Sequence, residues 1–351
     1  MHNEGTQEMD DLKRKQKKGL NPFYLKDIQK MRKKAQGMAL FVFLSVLMPS
    51  LSLAGALDLA KTADKAENMG KHKEAIELYT EAIDIGGLSQ HNLSIIHFKR
   101  GRILAKLGDL YSATDDYAKA VSFNTRNLNF RIYYGSALLE KGEYESAAFQ
   151  FERAMAIDPT SVYPYSNLGG LWTHRGDYSK ALEYFTRALE IEPNEFWLRR
   201  QFGEFFFCSG HFDRAEKEFK EAIRLSPPEW IHTTPIMIFL AQMKQGKDGK
   251  TYLTKYLAEK DPEKWPGPVF SLFLEKIAPS DFLAKTIVSK PRQENAFAIQ
   301  VRMYLGYYYS LKGERKKAIE MLKWYLESSG KGTWGHMAAL GELKRLTSAQ
   351  K

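Results

Sequence analysis

Small and apolar positions recur through the middle of the chain with a fixed spacing. Ala63, Gly101, Gly135, Gly169 and Gly203 stand 38, 34, 34 and 34 residues apart. Ala75, Ala113, Ala147, Ala181 and Ala215 keep the same gaps, and a second alanine follows each by seven residues, at Ala82, Ala120, Ala154, Ala188 and Ala222. A 34-residue period of this kind is the signature of stacked helix–turn–helix units. It predicts an all-α solenoid.

One unit, Val162–Glu195, shows the grammar. Leu168, Gly169 and Trp172 fall at i, i+1 and i+4, on one face of a first helix. Gly176 should end that helix in the left-handed conformation. Asp177 should cap a second helix, whose buried stripe is Tyr178, Ala181, Phe185 and Ala188. Gly169 and Ala181 are small because paired helices approach closely there, and Pro193 is placed to start the next helix. Leu128–Ser161 and Phe196–Glu229 repeat the pattern, the latter through Phe202, Gly203, Phe206, Gly210, Ala215, Phe219 and Pro227. Ser94–Asn127 has Thr125 in place of proline, and Ala56–Ser89 is the most divergent copy, as a terminal repeat with a wetter outer face would be.

Over Ala56–Glu229 these eight recurring positions make the chain resemble the tetratricopeptide repeat (TPR) family. The resemblance implies a right-handed superhelix with a concave groove lined by the first helices. Family geometry sets positions 2, 5, 6, 9 and 12 of each repeat toward that groove. Here they include Ile95, Phe98, Lys99, Arg102 and Ala105; Asn129, Ile132, Tyr133, Ser136 and Leu139; Tyr163, Ser166, Asn167, Gly170 and Thr173; and Trp197, Arg200, Gln201, Glu204 and Phe207. The Lys/Asn/Arg set that grips a peptide carboxylate in chaperone-binding relatives is missing, since no Asn stands at position 9. The expected partner-binding set is Phe98, Arg102, Ile132, Tyr163, Asn167, Trp197, Arg200 and Gln201, an aromatic and mildly cationic track. The aromatics of the buried stripes are core residues rather than a cofactor box.

Beyond Pro227 and Pro228 the spacing decays. Ile236–Met243 and Thr251–Glu259 read as a degenerate helix pair, Asp261–Pro268 as a turn-rich break, and Val269–Ile277 and Ser280–Val288 as short helices. A clear repeat returns at Ile299–Gly332 with Leu305, Gly306, Tyr309, Gly313, Ala318 and Leu322, and a last helix, about Trp334–Leu346, caps it. Three features occur in order: Trp265-Pro266, the run Tyr304-Leu305-Gly306-Tyr307-Tyr308-Tyr309, and Ala338-Ala339-Leu340-Gly341-Glu342-Leu343. That order is similar to the C-terminal part of the new lipoprotein I (NlpI) type of bacterial envelope TPR protein. The resemblance implies an adaptor for peptidoglycan hydrolases and a protease that degrades them. It does not carry over a lipid anchor, because no cysteine stands near the apolar N-terminal segment.

That segment, residues 38–56, is uncharged. Met38–Met48 has the length of a signal-peptide core, Arg32, Lys33 and Lys34 precede it, and Ala54-Gly55-Ala56 offers a cleavage site, with Ser52-Leu53-Ala54 as a second. Met31 would begin a compact signal peptide, with residues 1–37 a basic leader or an over-extended start. An uncleaved inner-membrane anchor is the alternative. Either reading puts the repeats outside the cytoplasm, in the periplasm or beyond. The remaining division is 57–229 for five repeats, 230–298 for the degenerate region and 299–351 for the last repeat and its cap.

The formal charge of +10 divides evenly: residues 1–36 hold ten Lys/Arg against five Asp/Glu, and the rest hold 42 against 37. The second part is no nucleic-acid footprint. The lone Cys208 excludes an internal disulfide and a cysteine zinc set. No G-x-S-x-G, H-E-x-x-H or Walker pattern occurs, the eight histidines are scattered, and paired acids such as Asp115-Asp116 read as solvated charge. The expectation is a non-catalytic protein–protein scaffold without cofactor or metal. Its partners would be other proteins or peptides, with a second copy of the chain a further candidate. A scaffold of a pilus, secretion or polysaccharide-export complex is the alternative. A TPR-bearing hydrolase is disfavoured, because no segment remains for a catalytic domain.

Overall fold

A computed structural model describes residues 53–227, 233–258, 261, 264–287, 294–331 and 335–348. The expected export segment lies outside them except for residues 53–56, which open helix α1 (residues 53–68), with Ala56 buried. Among the described residues there are seventeen helices and no strand. The described residues divide into two compact units, one up to Ile103 and one from Leu104.

In the first unit α1 is followed by α2 (His72–Ile85) and by most of α3 (Gln90–Lys106). Its core is built from Ala63, Ala66, Ala75, Tyr79, Ala82, Ile96 and Ile103. Four alanines on α1 and α2, Ala56, Ala63, Ala75 and Ala82, are fully buried, as a close helix pair requires. Lys99 pairs with Asp64 at 2.7 Å and Arg102 with Glu67 at 2.9 Å.

The second unit continues with α4 (Leu110–Phe123), α5 (Leu128–Lys141), α6 (Tyr144–Ile157), α7 (Val162–Arg175), α8 (Tyr178–Ile191), α9 (Phe196–Cys208) and α10 (Phe212–Leu225). The expected grammar is visible atom by atom. Gly176 caps α7 at φ 80°, and the Asp177 carboxylate accepts from the Lys180 N–H at 3.1 Å. The small first-helix glycine is explained by one ring. A Cβ at Gly135, Gly169 or Gly203 would lie 2.6, 2.8 or 2.7 Å from Phe151, Phe185 or Phe219, the aromatic of the paired helix. Pro193 differs from expectation: it sits in the turn rather than in the first turn of α9, and its carbonyl takes the Arg199 guanidinium at 3.0 and 3.1 Å. Arg131 grips Thr125 O in the same way, and the Tyr165 hydroxyl donates to Pro159 O. The residue four places into each first helix therefore ties down the turn behind it, satisfying a carbonyl that would otherwise need water.

The C-terminal region holds α11 (Thr234–Lys244), α12 (Gly249–Ala258), α13 (Gly267–Phe273), α14 (Pro279–Ile287), α15 (Glu294–Leu311), α16 (Arg315–Ser328) and α17 (His336–Ser348). These follow the predicted order. Helix α13 stops earlier than the predicted Ile277, because Glu275 turns to φ 59° and Lys276 N–H bonds back to Ser271 O. Glu275 then bridges Lys250 and Lys312, both at 2.7 Å.

Helix α17 does more than end the last pair. It packs against α15 and α16 on one side and against α9 and α7 on the other. A methyl group at Gly341 would stand 2.5 Å from Cys208 Cα, so the two backbones touch. Arg345 donates to Phe207 O and Cys208 O, both at 3.1 Å, and to Glu342 at 3.0 Å. Glu342 is fully buried and also binds Lys244 and the Ser310 hydroxyl. Burial would raise its pKa, but Lys244 and Arg345 beside it hold the carboxyl below its ordinary value. One hydrophobic core accordingly runs from Val162 to Ala339.

Candidate functional site

The groove-facing positions expected from the repeats fall into three environments. Phe98 and Arg102 belong to the first unit. Arg102 is exposed and lies 5.9 Å over the Phe98 ring, but its charge is already taken by Glu67. In the second unit Tyr163 is 55% exposed and stacks on Trp197, centroids 5.3 Å apart and planes 4° from parallel. Both are position-2 residues, at the first turns of α7 and α9. Ile132 is half-buried on α5, and Tyr133 beside it is exposed and tilted against Tyr117 at 6.1 Å.

One turn further along α7 and α9 the surface changes from aromatic to polar. Asn167, Arg200 and Gln201 line one cavity of about 90 Å³ with Leu139, Ser166, Gly170, His174, Glu204, Lys331 and Met337. The structure thus brings together the ring pair Tyr163–Trp197 and, separately, the polar trio Asn167, Arg200 and Gln201.

The third environment is covered. Thr173, Glu204 and Phe207 are buried. Gly335 N–H bonds to Glu204 Oε2 at 3.1 Å, and Arg345 takes the carbonyls that end α9. Three cations from the C-terminal segment meet three first-helix C-termini. Lys331 Nζ lies against Gly142 at the end of α5, Lys344 Nζ near Gly176 at the end of α7, and Arg345 at the end of α9. Each is favoured by the negative pole of its helix. The groove is thus open at the first turns of α7 and α9 and filled by the chain's own C-terminus at their ends.

Buried titratable groups gather where the open and filled parts meet. His174 and His336 lie with ring centroids 4.9 Å apart. His174 Nε2 bonds to Lys331 O at 2.9 Å and His336 Nδ1 to the Ser329 hydroxyl at 2.9 Å. Burial pushes their pKa values down to about 4 and about 3, so both rings are neutral. Burial pushes Glu204 the opposite way, up to about 7, against the pull of Arg200 and the Gly335 N–H. Burial also raises the Cys208 thiol, in keeping with an inert core residue. Among the described residues no group of three or more metal-ligating side chains occurs, and no helix is long and apolar enough to cross a membrane.

His174, Lys331 and Met337 were absent from the predicted set. No local pattern marks them, because Lys331 and Met337 reach the cavity only through the fold-back of α17.

Family models of the tetratricopeptide repeat match residues 98–162 and 162–195. Residues 98–195 thus match the tetratricopeptide repeat. The second match has the same bounds as the repeat read from residue spacing. A TPR protein from Parabacteroides merdae is 18% identical, with a TM-score of 0.56, over 84% of this chain and 99% of its own. A thermophilic TPR protein of Thermus thermophilus is 18% identical, with a TM-score of 0.44, over 54% and 99%. PilF of Pseudomonas aeruginosa is 16% identical, with a TM-score of 0.46, over 59% and 90%. At 18% identity the likeness to the Parabacteroides merdae protein is one of fold alone. No curated protein is similar to the chain in sequence. TPR repeats are in general modules for binding other proteins.

Proposed function

We propose that this TPR protein is a non-catalytic adaptor that binds its partner along the open first turns of α5, α7 and α9. The observation that carries this reading is the exposed Tyr163 stacked on Trp197. A large aromatic surface left in water on a repeat face is a typical binding anchor. Export completes the proposal. The uncharged residues 38–56 behind Arg32, Lys33 and Lys34 would direct the repeats out of the cytoplasm, either cleaved near Ala56 or retained as an anchor. The C-terminal resemblance to NlpI-type proteins makes peptidoglycan hydrolases and their protease the partners to try first.

The test is capture from an envelope extract by the immobilised full chain, with and without the double change Tyr163→Ala, Trp197→Ala. Loss of paired aromatic anchors should weaken capture by at least about 2 kcal/mol, roughly thirtyfold. Unchanged capture would remove this face from consideration. Deleting Ile299–Lys351 is a poorer test, because it strips α9 of its cover. N-terminal sequencing of the envelope-associated protein should begin near Gly55 or Leu57. An intact Met1 or Met31 would mean an anchor.

A further inference from the structure

The cavity between α7 and α9 holds buried acceptors that lack donors, although the Arg200 guanidinium, whose charge acts on Glu204, stands on its α9 wall. Glu204 is 2% exposed, and while its Oε2 takes the Gly335 N–H, its Oε1 has no partner. Gln201 Oε1, on the same wall, has none either. Ser166 and His174 add acceptors. The Ser166 hydroxyl donates away to Tyr163 O at 3.1 Å, which leaves its lone pairs. His174 must carry its proton on Nε2 to reach Lys331 O, so its Nδ1 is a lone pair. Lys331, also on the lining, holds its Nζ over the Tyr144 ring at 5.1 Å. A buried acceptor without a donor costs about 1–3 kcal/mol, and two such atoms in one cavity call for a guest that brings donors.

We propose that this cavity binds an alkylammonium group. The guest that best suits the surroundings is a lysine side chain of the partner, which rests on the adaptor reading above. Three N–H donors on one compact cation suit Glu204 Oε1, Gln201 Oε1 and one further acceptor. The volume of about 90 Å³ equals the share of roughly three waters, room for an ammonium and its nearest methylenes. The α7 wall is open at Gly170, where a Cβ would meet nothing within 4 Å. Tyr163 and Trp197 lie one turn away, where the stem of a lysine or its neighbours would rest.

Binding should be pH-dependent in a defined direction. The groups around Glu204 are Arg200 and Gln201 on α9, His174 on α7, Lys331 ahead of α17, His336 at its first position, and Tyr304 and Tyr307 on α15. The histidines are neutral above pH 5, so Glu204, held up to about 7, is the group that changes. An ammonium binds its ionised form, and affinity should rise several-fold between pH 6 and pH 8.

Saturation-transfer NMR on the full chain tests this with four probes: Ac-Ala-Lys-Ala-amide, its norleucine analogue, spermidine and acetate. The lysine peptide should show transfer at its terminal methylenes and the norleucine peptide none. Gly170→Leu should abolish the signal with helicity unchanged, because its side chain fills the cavity from the open wall. Glu204→Gln should weaken binding at least tenfold and flatten the pH profile. Tighter binding of spermidine than of the peptide would support the site and make a free polyamine its source. Acetate binding in place of the amines, a signal unchanged in Gly170→Leu, or no amine binding at all, would overturn the proposal and leave a water-filled cavity. The double change Tyr163→Ala, Trp197→Ala keeps the two readings apart: unchanged capture by that variant with an amine signal in the parent fails the adaptor reading alone, whereas lost capture by that variant with no amine signal in the parent fails this one alone.

Discussion

Helices α5–α8 and α9–α17 are written in related grammar but use the groove face differently. In α7, Tyr163 and Asn167 remain open toward water or cavity. In α9 the equivalent face dips under α17, and Phe205, Phe206, Phe207 and Cys208 are buried in succession. The difference is readable in composition. A first helix with one apolar stripe leaves a polar groove face, whereas a helix apolar all round must be covered. Helix α11 obeys the same rule, with every residue from Thr234 to Gln242 buried. Repeat spacing therefore reports how helices pair, and the all-round apolar runs report where the groove stops being a surface.

The sharpest way to break the filled half is to remove Glu342. Its buried carboxylate holds Lys244, Ser310 and Arg345 together, and Arg345 in turn holds the end of α9. Glu342→Ala should cost about 3 kcal/mol, the lower end for breaking a buried ion pair, because both cations keep some contact with water. Urea unfolding should show the loss. A change under 1 kcal/mol would mean that α17 is held by apolar packing alone. Gly341→Leu, which drives a side chain into the Cys208 backbone, should separate α17 from α9 by a different route.

Acid should act on the same junction. His174 and His336 have folded pKa values below the ordinary 6.5, so unfolding takes up two protons below that pH and stability falls as pH falls. Glu204 works in the opposite sense. Its folded pKa of about 7 exceeds the ordinary 4.5, so the folded state holds the extra proton between those values and gains stability on acidification. Between pH 6.5 and 4.5 the net uptake on unfolding is about one proton, a slope of about 1.4 kcal/mol per pH unit. Glu204→Gln removes the opposing proton and should roughly double that slope. Equal slopes in the two proteins, by urea titration at stepped pH, would place the titration elsewhere.

Pro193 apart, the repeat itself was legible to the residue. Gly176, Asp177 and Ala181 occupy the C-cap, the N-cap and the close contact assigned to them. The order of the seven C-terminal helices was legible too, because each carries its own apolar period. What spacing could not show is contact across distance. Lys331 bonds His174 from 157 residues away and Arg345 reaches Phe207 across 138, and no local pattern encodes either. The site was half legible for that reason: Tyr163 and Trp197 meet as neighbours in adjacent repeats, while the cavity that joins Asn167 to Gln201 needs Lys331 and Met337 to close it.

In the open half the expected effects are smaller and local. Ala181 is fully buried where α8 meets α7. Ala181→Leu should overpack that contact by roughly 1–3 kcal/mol. Melting should broaden rather than shift as a whole, since a repeat array feels such a defect mainly in its neighbours. An unchanged melting curve would contradict the close approach seen at Gly169 and Phe185.

The smallest effect isolates a single hydrogen bond. In the five regularly spaced repeats the residue before the second helix occupies the same place, but among these five only Asp109 and Asp177 cap, each accepting the N–H three residues on at 3.1 Å. Glu143 and His211 stand at the same position without a side-chain cap bond. Glutamate has one methylene too many for the short loop that aspartate closes. Asp177→Ala should therefore cost about 1 kcal/mol, whereas Glu143→Ala should cost almost nothing. Glu143→Asp should recover the bond and stabilise α6 by a few tenths up to about 1 kcal/mol. Urea titration of the three variants against the parent checks all of this at once. If Glu143→Asp gives no gain while Asp177→Ala is destabilising, the backbone before α6 rather than the side-chain length decides which repeats are capped.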